Sequence, residues 1–336
     1  MKKPMTQEER FVQMIETPVS TLIPRLAVPT IISMLVTAIY NMADTFFVSQ
    51  IGTSASGAVG VMFSAMAMIQ AIGFTLGMGS GNYISRSLGD RNGGEADKSA
   101  ATAFFTALII GILITIVGLT FLRPLVFLLG ATETIAPYAM DYGIYILIAA
   151  PFMMSSFVMN NILRAQGNAM YSMIGITAGG ILNMILDPVL IFGFHMGIAG
   201  VGWATLIAQT ISAVLTMLLL MRTKEEYQVK LKHIRFHKHM LYEIVRLGLP
   251  SGLQNAIVSF SNVIVQSNIN AFGSLAMAGC GSYTKIDGFA ILPVMSYSMA
   301  LTTFTGQNMG AKKYDRVKQG AKTGILMSVI TIVCIS

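Results

Sequence analysis

Apolar residues run along this chain in long blocks, separated by short polar or charged segments. A helix needs roughly 20 such residues to cross a bilayer. Eight blocks reach that length: 22–48, 56–84, 99–121, 136–162, 168–194, 198–221, 247–271 and 277–305. A ninth opens near Ala321 and is still running at Ser336. The pattern predicts an all-α polytopic membrane protein. Composition agrees, because only 11% of the 336 residues are charged and 54% are hydrophobic. Soluble domains carry about 25% charged residues, so this chain has too few polar groups to clothe a water-facing surface. A soluble enzyme and a disordered chain are both disfavoured.

The few charges are placed unevenly. Basic residues precede span 1 (Lys2, Lys3, Arg10, Arg25), separate spans 2 and 3 (Arg86, Arg91, Lys98), and mark the turn after span 4 (Arg164). More fill the link between spans 6 and 7 and follow span 8. These segments share one side, and they hold 20 of the 22 Lys and Arg residues. Arg123 lies on the other side and Lys285 within a span. By the positive-inside rule the N-terminus is cytoplasmic. The net charge of +7 therefore reads as topology and not as a nucleic-acid surface. Met1 to Glu16 lacks the short apolar region and cleavage site of a signal peptide. Cys280 and Cys334 stand in apolar runs, so no disulfide framework is expected.

The chain repeats itself. "PRLAVPTIISMLVTAIYNMADTFFVSQIG" aligns without gaps on "VRLGLPSGLQNAIVSFSNVIVQSNINAFG" at an offset of 250 − 29 = 221 residues. That offset pairs Arg25 with Arg246, Pro29 with Pro250, Asn41 with Asn262 and Gly89 with Gly310. Six spans, an even number, separate the copies, so both enter the membrane from the same side. This is a parallel repeat about an axis along the membrane normal, a plan common among secondary transporters. The expected organisation is a six-span N-lobe over 1–221, a cytoplasmic basic linker over 222–246, and a partial C-lobe over 247–336. Three or so further spans are expected after Ser336, and transport is not expected from one lobe lacking most of its partner. No G-x-x-x-x-G-K-[ST] loop is present for nucleotide phosphates.

Carboxylates within spans are costly and are functional candidates by default. Asp44, Asp187 and Asp287 qualify, with Asp141 nearer a span end. Spans 1 and 5 run outward and span 6 starts outside, which places Asp44, Asp187 and Thr205 at similar depth in the outer half. Tyr40 precedes Asp44 by four residues and Asn183 precedes Asp187 by four, so each pair shares a helix face. Two acids in one low-dielectric pocket cannot both ionise cheaply, which suits proton exchange. The same oxygens suit Na⁺. The plainer alternative is structural, with Asp44-Thr45 bonding local backbone and Asp187-Pro188 marking a kink.

Other features say less. Lys285 and Asp287, two residues apart, point to different helix faces. With Met66 and Met295 they are candidates for lining a substrate cleft. Pro29 removes a backbone bond in mid-span and is a candidate hinge. Gly73, Gly77 and Gly81 permit close helix contact. His233, His237 and His239 lie in the basic linker and read as a solvated face. No metal site is expected beyond Na⁺ at Asp44, Asn183, Asp187 and Thr205, and no cofactor.

The stretches "YNMADTFFVSQIG", "GSGNYISRSLGDRN", "LRAQGNAMYSMIG", "LNMILDPVLIFGF", "GIAGVGWAT" and "GLPSGLQ" resemble the multidrug and toxic compound extrusion (MATE) transporters, in their bacterial multidrug-exporter branch. The resemblance runs from about residue 11 to the end. It implies a 12-helix fold of two lobes around a cleft, in a monomer of the cell membrane. It also implies export of organic cations or drugs by antiport against H⁺ or Na⁺. The family's N-lobe cation site falls on Asp44, Asn183, Asp187 and Thr205, with Tyr40 one turn before the first Asp and the kink proline at Pro29. Some members use an acid in helix 7, but Val265 stands at the repeat equivalent of Asp44, which favours the N-lobe. A flippase for a lipid-linked saccharide is the alternative. It should carry several cleft cations to meet lipid phosphate, and Lys285 is the only basic residue deep in a span. A passive channel would show flux without a gradient. An intramembrane enzyme would need a nucleophile–base pair or a metal motif, and none is visible.

Overall fold

The computed structural model describes residues 7–222, 236–270 and 274–335. Their regular structure is helical. In chain order the helices are α1 (Gln7–Glu16), α2 (Val19–Ile51), α3 (Thr53–Gly89), α4 (Gly93–Thr120), α5 (Leu122–Leu128), α6 (Ala136–Ala165), α7 (Ala169–Pro188), α8 (Ile198–Arg222), α9 (Lys238–Asn270), α10 (Ser274–Gly310) and α11 (Tyr314–Ile335). Eight stretches of the described residues are long and apolar enough to span a membrane, and the protein is a multi-pass membrane protein. Six of the eight match the first six predicted spans; Val19–Ile51 and Thr53–Gly89 run further at both ends, and the other four lie close to their predicted limits. The other two are Asp287–Gly310 and Tyr314–Ile335. The predicted span 247–271 forms as helix α9 but falls short on hydropathy, because Gln254, Asn255, Ser259, Ser261 and Asn262 interrupt it. Sequence periodicity did not foresee α1 or the short α5.

Helix α6 is the centre of the first six spans. It packs against α3, α4 and α8, and its buried residues include the run Met153, Met154, Ser155 and Ser156. In lipid there is little hydrophobic drive between helices, so close contact between small residues does the work. The glycine ladder of α3 supplies it: Gly73 abuts Met154 and Phe157, and Gly77 and Gly81 abut Asn161. On α4, Gly111 rests on the backbone of Pro151. Some hydroxyls within the spans find partners on their own helix, as where Ser33 Oγ donates to the Pro29 carbonyl at 2.8 Å. Helix α2 runs unbroken through Pro24 and Pro29, although Pro29 has no N–H to offer the carbonyl one turn back.

The 221-residue register reappears in the packing. Helices α3 and α10 cross at the end of the bundle nearest the basic linker. A Cβ added to Gly306 would lie 2.6 Å from Ser85 Cβ, and one on Gly310 would lie 3.0 Å from the Gly89 carbonyl carbon. Ser85 with Gly306 and Gly89 with Gly310 are counterparts at the 221 offset. The turns that follow match too, with Arg91 at φ 55° and Lys312 at φ 58°. Beside the crossing, the last turn of α6 is tied to α10. Gln307 Nε2 donates to the Ala165 carbonyl at 2.7 Å, and Thr303 Oγ1 to the Arg164 carbonyl at 3.2 Å. A small, partly open pocket lies between α3, α6 and α10, lined by Met78 and its counterpart Met299, with Asn82, Thr303 and Arg164.

Candidate functional site

Four helices bring polar residues together at the opposite end of the bundle. Asp44 is about three-quarters along α2 and Asp187 is one residue from the end of α7, while Thr205 and Tyr142 lie in the first third of α8 and α6. Because α2 and α7 run one way and α6 and α8 the other, these positions share one level. Helix α2 lies along α7, and Gly180 makes that approach possible: a Cβ there would be 3.0 Å from the Tyr40 ring and 3.1 Å from Val36. Helices α7 and α8 meet through Gly179 against Ser212, with Ser212 Oγ donating to the Gly175 carbonyl at 2.9 Å. The buried face of α7 is small or polar throughout: Ala169, Ser172, Gly175, Gly179, Gly180, Asn183 and Asp187.

Asp187 has no exposed surface, and Asn183 and Thr205 are 4% and 8% exposed. Asp44 and Asp187 are close enough for each to feel the other's charge, and Tyr40 lies within electrostatic range of Asp44. The sequence-derived group of Asp44, Asn183, Asp187, Thr205 and Tyr40 is therefore brought to one place. Its acceptors are unmet: Asp44 Oδ1, Asn183 Oδ1 and both oxygens of Asp187 are buried with no hydrogen-bond partner in the protein. A buried carboxylate without donors is costly. Such an array suits a proton or a small hard cation that takes oxygen ligands. The local-backbone alternative fits Thr45, whose hydroxyl donates to the Asn41 carbonyl at 2.8 Å, but not Asp44 or Asp187. Pro188 does mark a change of helix, since α7 passes there into a π turn over Val189–Gly193.

Tyr142 belongs to the group and was missed from sequence. It is 1% exposed and its hydroxyl is in hydrogen-bonding reach of Thr205, with Asp44, Asp187 and Tyr40 in electrostatic range. The same hydroxyl approaches Met66 Sδ at 3.8 Å. Its signal was depth, seven residues into an inward-running span beside the noted Asp141. Met66 thus stands behind the carboxylate pocket. Of the other candidates, Met295 is 45% exposed on α10, Asp287 is exposed, and the side chain of Lys285 lies outside the described residues. His233 lies outside them as well. Met62, Met153 and Met154 are buried in the helix packing, as ordinary span residues are.

Comparison with known proteins agrees with the geometry. The MatE family model matches residues 29–189 and 250–336. The multidrug export protein MepA of Staphylococcus aureus (strain NCTC 8325 / PS 47) is 27% identical over 332 residues, covering 98% of this chain and 73% of that protein. A crystal structure of MATE in the straight conformation superposes with a TM-score of 0.90 at 28% identity, covering 96% of this chain and 73% of that one. An outward-facing multidrug resistance MATE family transporter of the MOP superfamily superposes with a TM-score of 0.87 at 27% identity, over 96% and 72% of the two chains.

Proposed function

The chain belongs to the MatE family of multidrug transporters, and we propose that it exports organic cations by antiport, with H⁺ or Na⁺ as the coupling ion. It is a transporter and not an enzyme. The observation that carries the coupling proposal is the set of orphaned acceptor oxygens on Asp44, Asn183 and Asp187. Two neighbouring carboxylates in a low-dielectric setting repel unless a cation neutralises one of them. A proton or Na⁺ arriving there removes the repulsion and draws α2 and α7 together. When it leaves, they are pushed apart again. Tyr40, Tyr142 and Thr205 supply hydroxyls that follow the change.

Helix α2 is the element that converts this into movement. Its outer half packs on α7, while Leu22, Ile23, Leu26 and Ala27 pack with Ala300 and Phe304 of α10. Pro29 lies just past that second contact, where a missing backbone bond lets the two halves of α2 respond separately. In this reading the N-terminus is cytoplasmic, residues 1–221 and 247–336 belong to two lobes joined by the linker 222–246, and drug is held between them. The experiment is efflux of a cationic dye from cells expressing the full product of the gene, wild type against Asp44→Asn. The proposal expects efflux to fall to the level of non-expressing cells. Undiminished efflux sinks it.

A further inference from the structure

Helix α1 lies across the end of the bundle where α3 and α10 cross, and it is fastened at both of its ends. The C-terminal end is held by α10 and α11. Met14 is buried in one cluster with Ala300 and Phe304. Arg316 Nη2 donates to the Thr17 carbonyl at 2.8 Å and to the Met14 carbonyl at 3.4 Å. Asn308 Nδ2 reaches the Met14 carbonyl at 3.3 Å, and Arg316 Nε braces Asn308 at 3.1 Å.

The N-terminal end is held by the turn between α3 and α4. Arg91 Nη2 meets Glu8 Oε1 at 2.9 Å, and its guanidinium stands 4.4 Å over the Phe11 ring. Met14 also abuts the α6–α7 turn, where a Cβ on Gly167 would lie 3.6 Å from its sulfur. Arg91 adopts φ 55°, a left-handed conformation that glycine or asparagine holds at lower cost. Lys312 holds the same conformation at the repeat position, so the turn itself belongs to the repeated fold. The contacts to α1 are particular to Arg91.

We infer that α1 is a strap across the cytoplasmic gate, with Arg91 as the positioning residue at which it releases. This rests on the proposed antiport, in which drug held between the two lobes can be reached from the cytoplasm only when α3 and α10 part. A ten-residue helix is about 15 Å long and stiff, so it cannot follow both sides when they separate. The Arg91 end lets go first. Its ion pair has side chains 62% and 67% exposed, where water competes for both charges. At the other end Met14 is buried and Arg316 partly buried, and that end stays with α10.

The test uses the full gene product in inside-out vesicles, with its native cysteines, Cys280 and Cys334 among them, replaced by Ser and one cysteine introduced as Ser85→Cys, under Gly306. Labelling by a membrane-impermeant maleimide reports opening of the gate. Arg91→Ala and Phe11→Ala should each speed labelling by about two- to fivefold, the scale of losing an exposed ion pair or a cation–π contact. Glu8→Arg combined with Arg91→Glu should restore part of the slow rate, which a merely misfolded variant would not do. Gly89→Ala serves as an independent wedge in the α3–α10 crossing. Fast labelling with Gly89→Ala but unchanged labelling with Arg91→Ala and Phe11→Ala overturns the strap and leaves the gate standing. No change in any of the three overturns both.

Discussion

The crossing of α3 and α10 permits a quantitative prediction for Gly89→Ala. The added methyl would lie 2.8 Å from the Gln307 carbonyl carbon and 3.0 Å from its Cα, and it would also strike the Gln307 carbonyl oxygen. Carbon atoms pack comfortably at about 3.5–4.0 Å, and a backbone cannot swing aside. The two helices must separate by the better part of an ångström. The bonds that tie α6 to α10 beside the crossing then stretch: Gln307 to the Ala165 carbonyl at 2.7 Å and Thr303 to the Arg164 carbonyl at 3.2 Å. At about 1 kcal/mol net for each bond, losing both costs the closed gate about 2 kcal/mol. Each 1.4 kcal/mol is tenfold in an equilibrium, so the balance should move toward the open gate by about 30-fold. Spin labels on Gly94→Cys and Lys313→Cys, both exposed and flanking the crossing, should show a second and longer distance population by pulsed electron resonance. Gly60→Ala is the control, since a Cβ there meets nothing within 4 Å. An unchanged distance distribution in Gly89→Ala would refute the reasoning.

Two further outcomes follow from the same packing. Tyr142→Phe removes the hydroxyl that reaches Thr205 and Met66, worth about 1 kcal/mol, so dye efflux by the full gene product should slow about fivefold with folded yield unchanged. Gly111→Val drives a side chain into Pro151, whose Cα and N lie 2.5 and 2.9 Å from the new Cβ. Overpacking of about 1–3 kcal/mol should lower the thermal unfolding midpoint by several degrees, while Gly60→Ala leaves it unchanged or raises it.

How much of this could be read from the sequence depended on the size of each signal. Charge in an apolar run is expensive, so Asp44 and Asp187 stood out at once, and helix direction with i, i+4 spacing added Tyr40, Asn183 and Thr205. Tyr142 stayed hidden because a tyrosine in an apolar span looks like any other aromatic until a neighbouring helix places Thr205 against it. The six first spans were legible from hydropathy. Helix α9 corresponds to the predicted span 247–271, although Gln254, Asn255 and Asn262 dilute its apolar residues. Helix α1 was overlooked because its pattern fits a short surface helix, and its partners Arg91 and Arg316 lie about 80 and 300 residues away in sequence. The repeat was visible as an alignment. That Gly89 would meet its own counterpart Gly310 could not be seen until the helices were in place.

The central claim is that Asp44 and Asp187 hold the coupling ion. The most direct measurement is ion release from the purified full gene product when an organic cation is added, followed with a pH indicator in weak buffer and with radioactive sodium in parallel. The account predicts that wild type gives up protons or Na⁺ as drug binds, and that Asp187→Asn and Asp44→Asn, though still folded, release neither. Drug-evoked release of the same size from Asp187→Asn would contradict it.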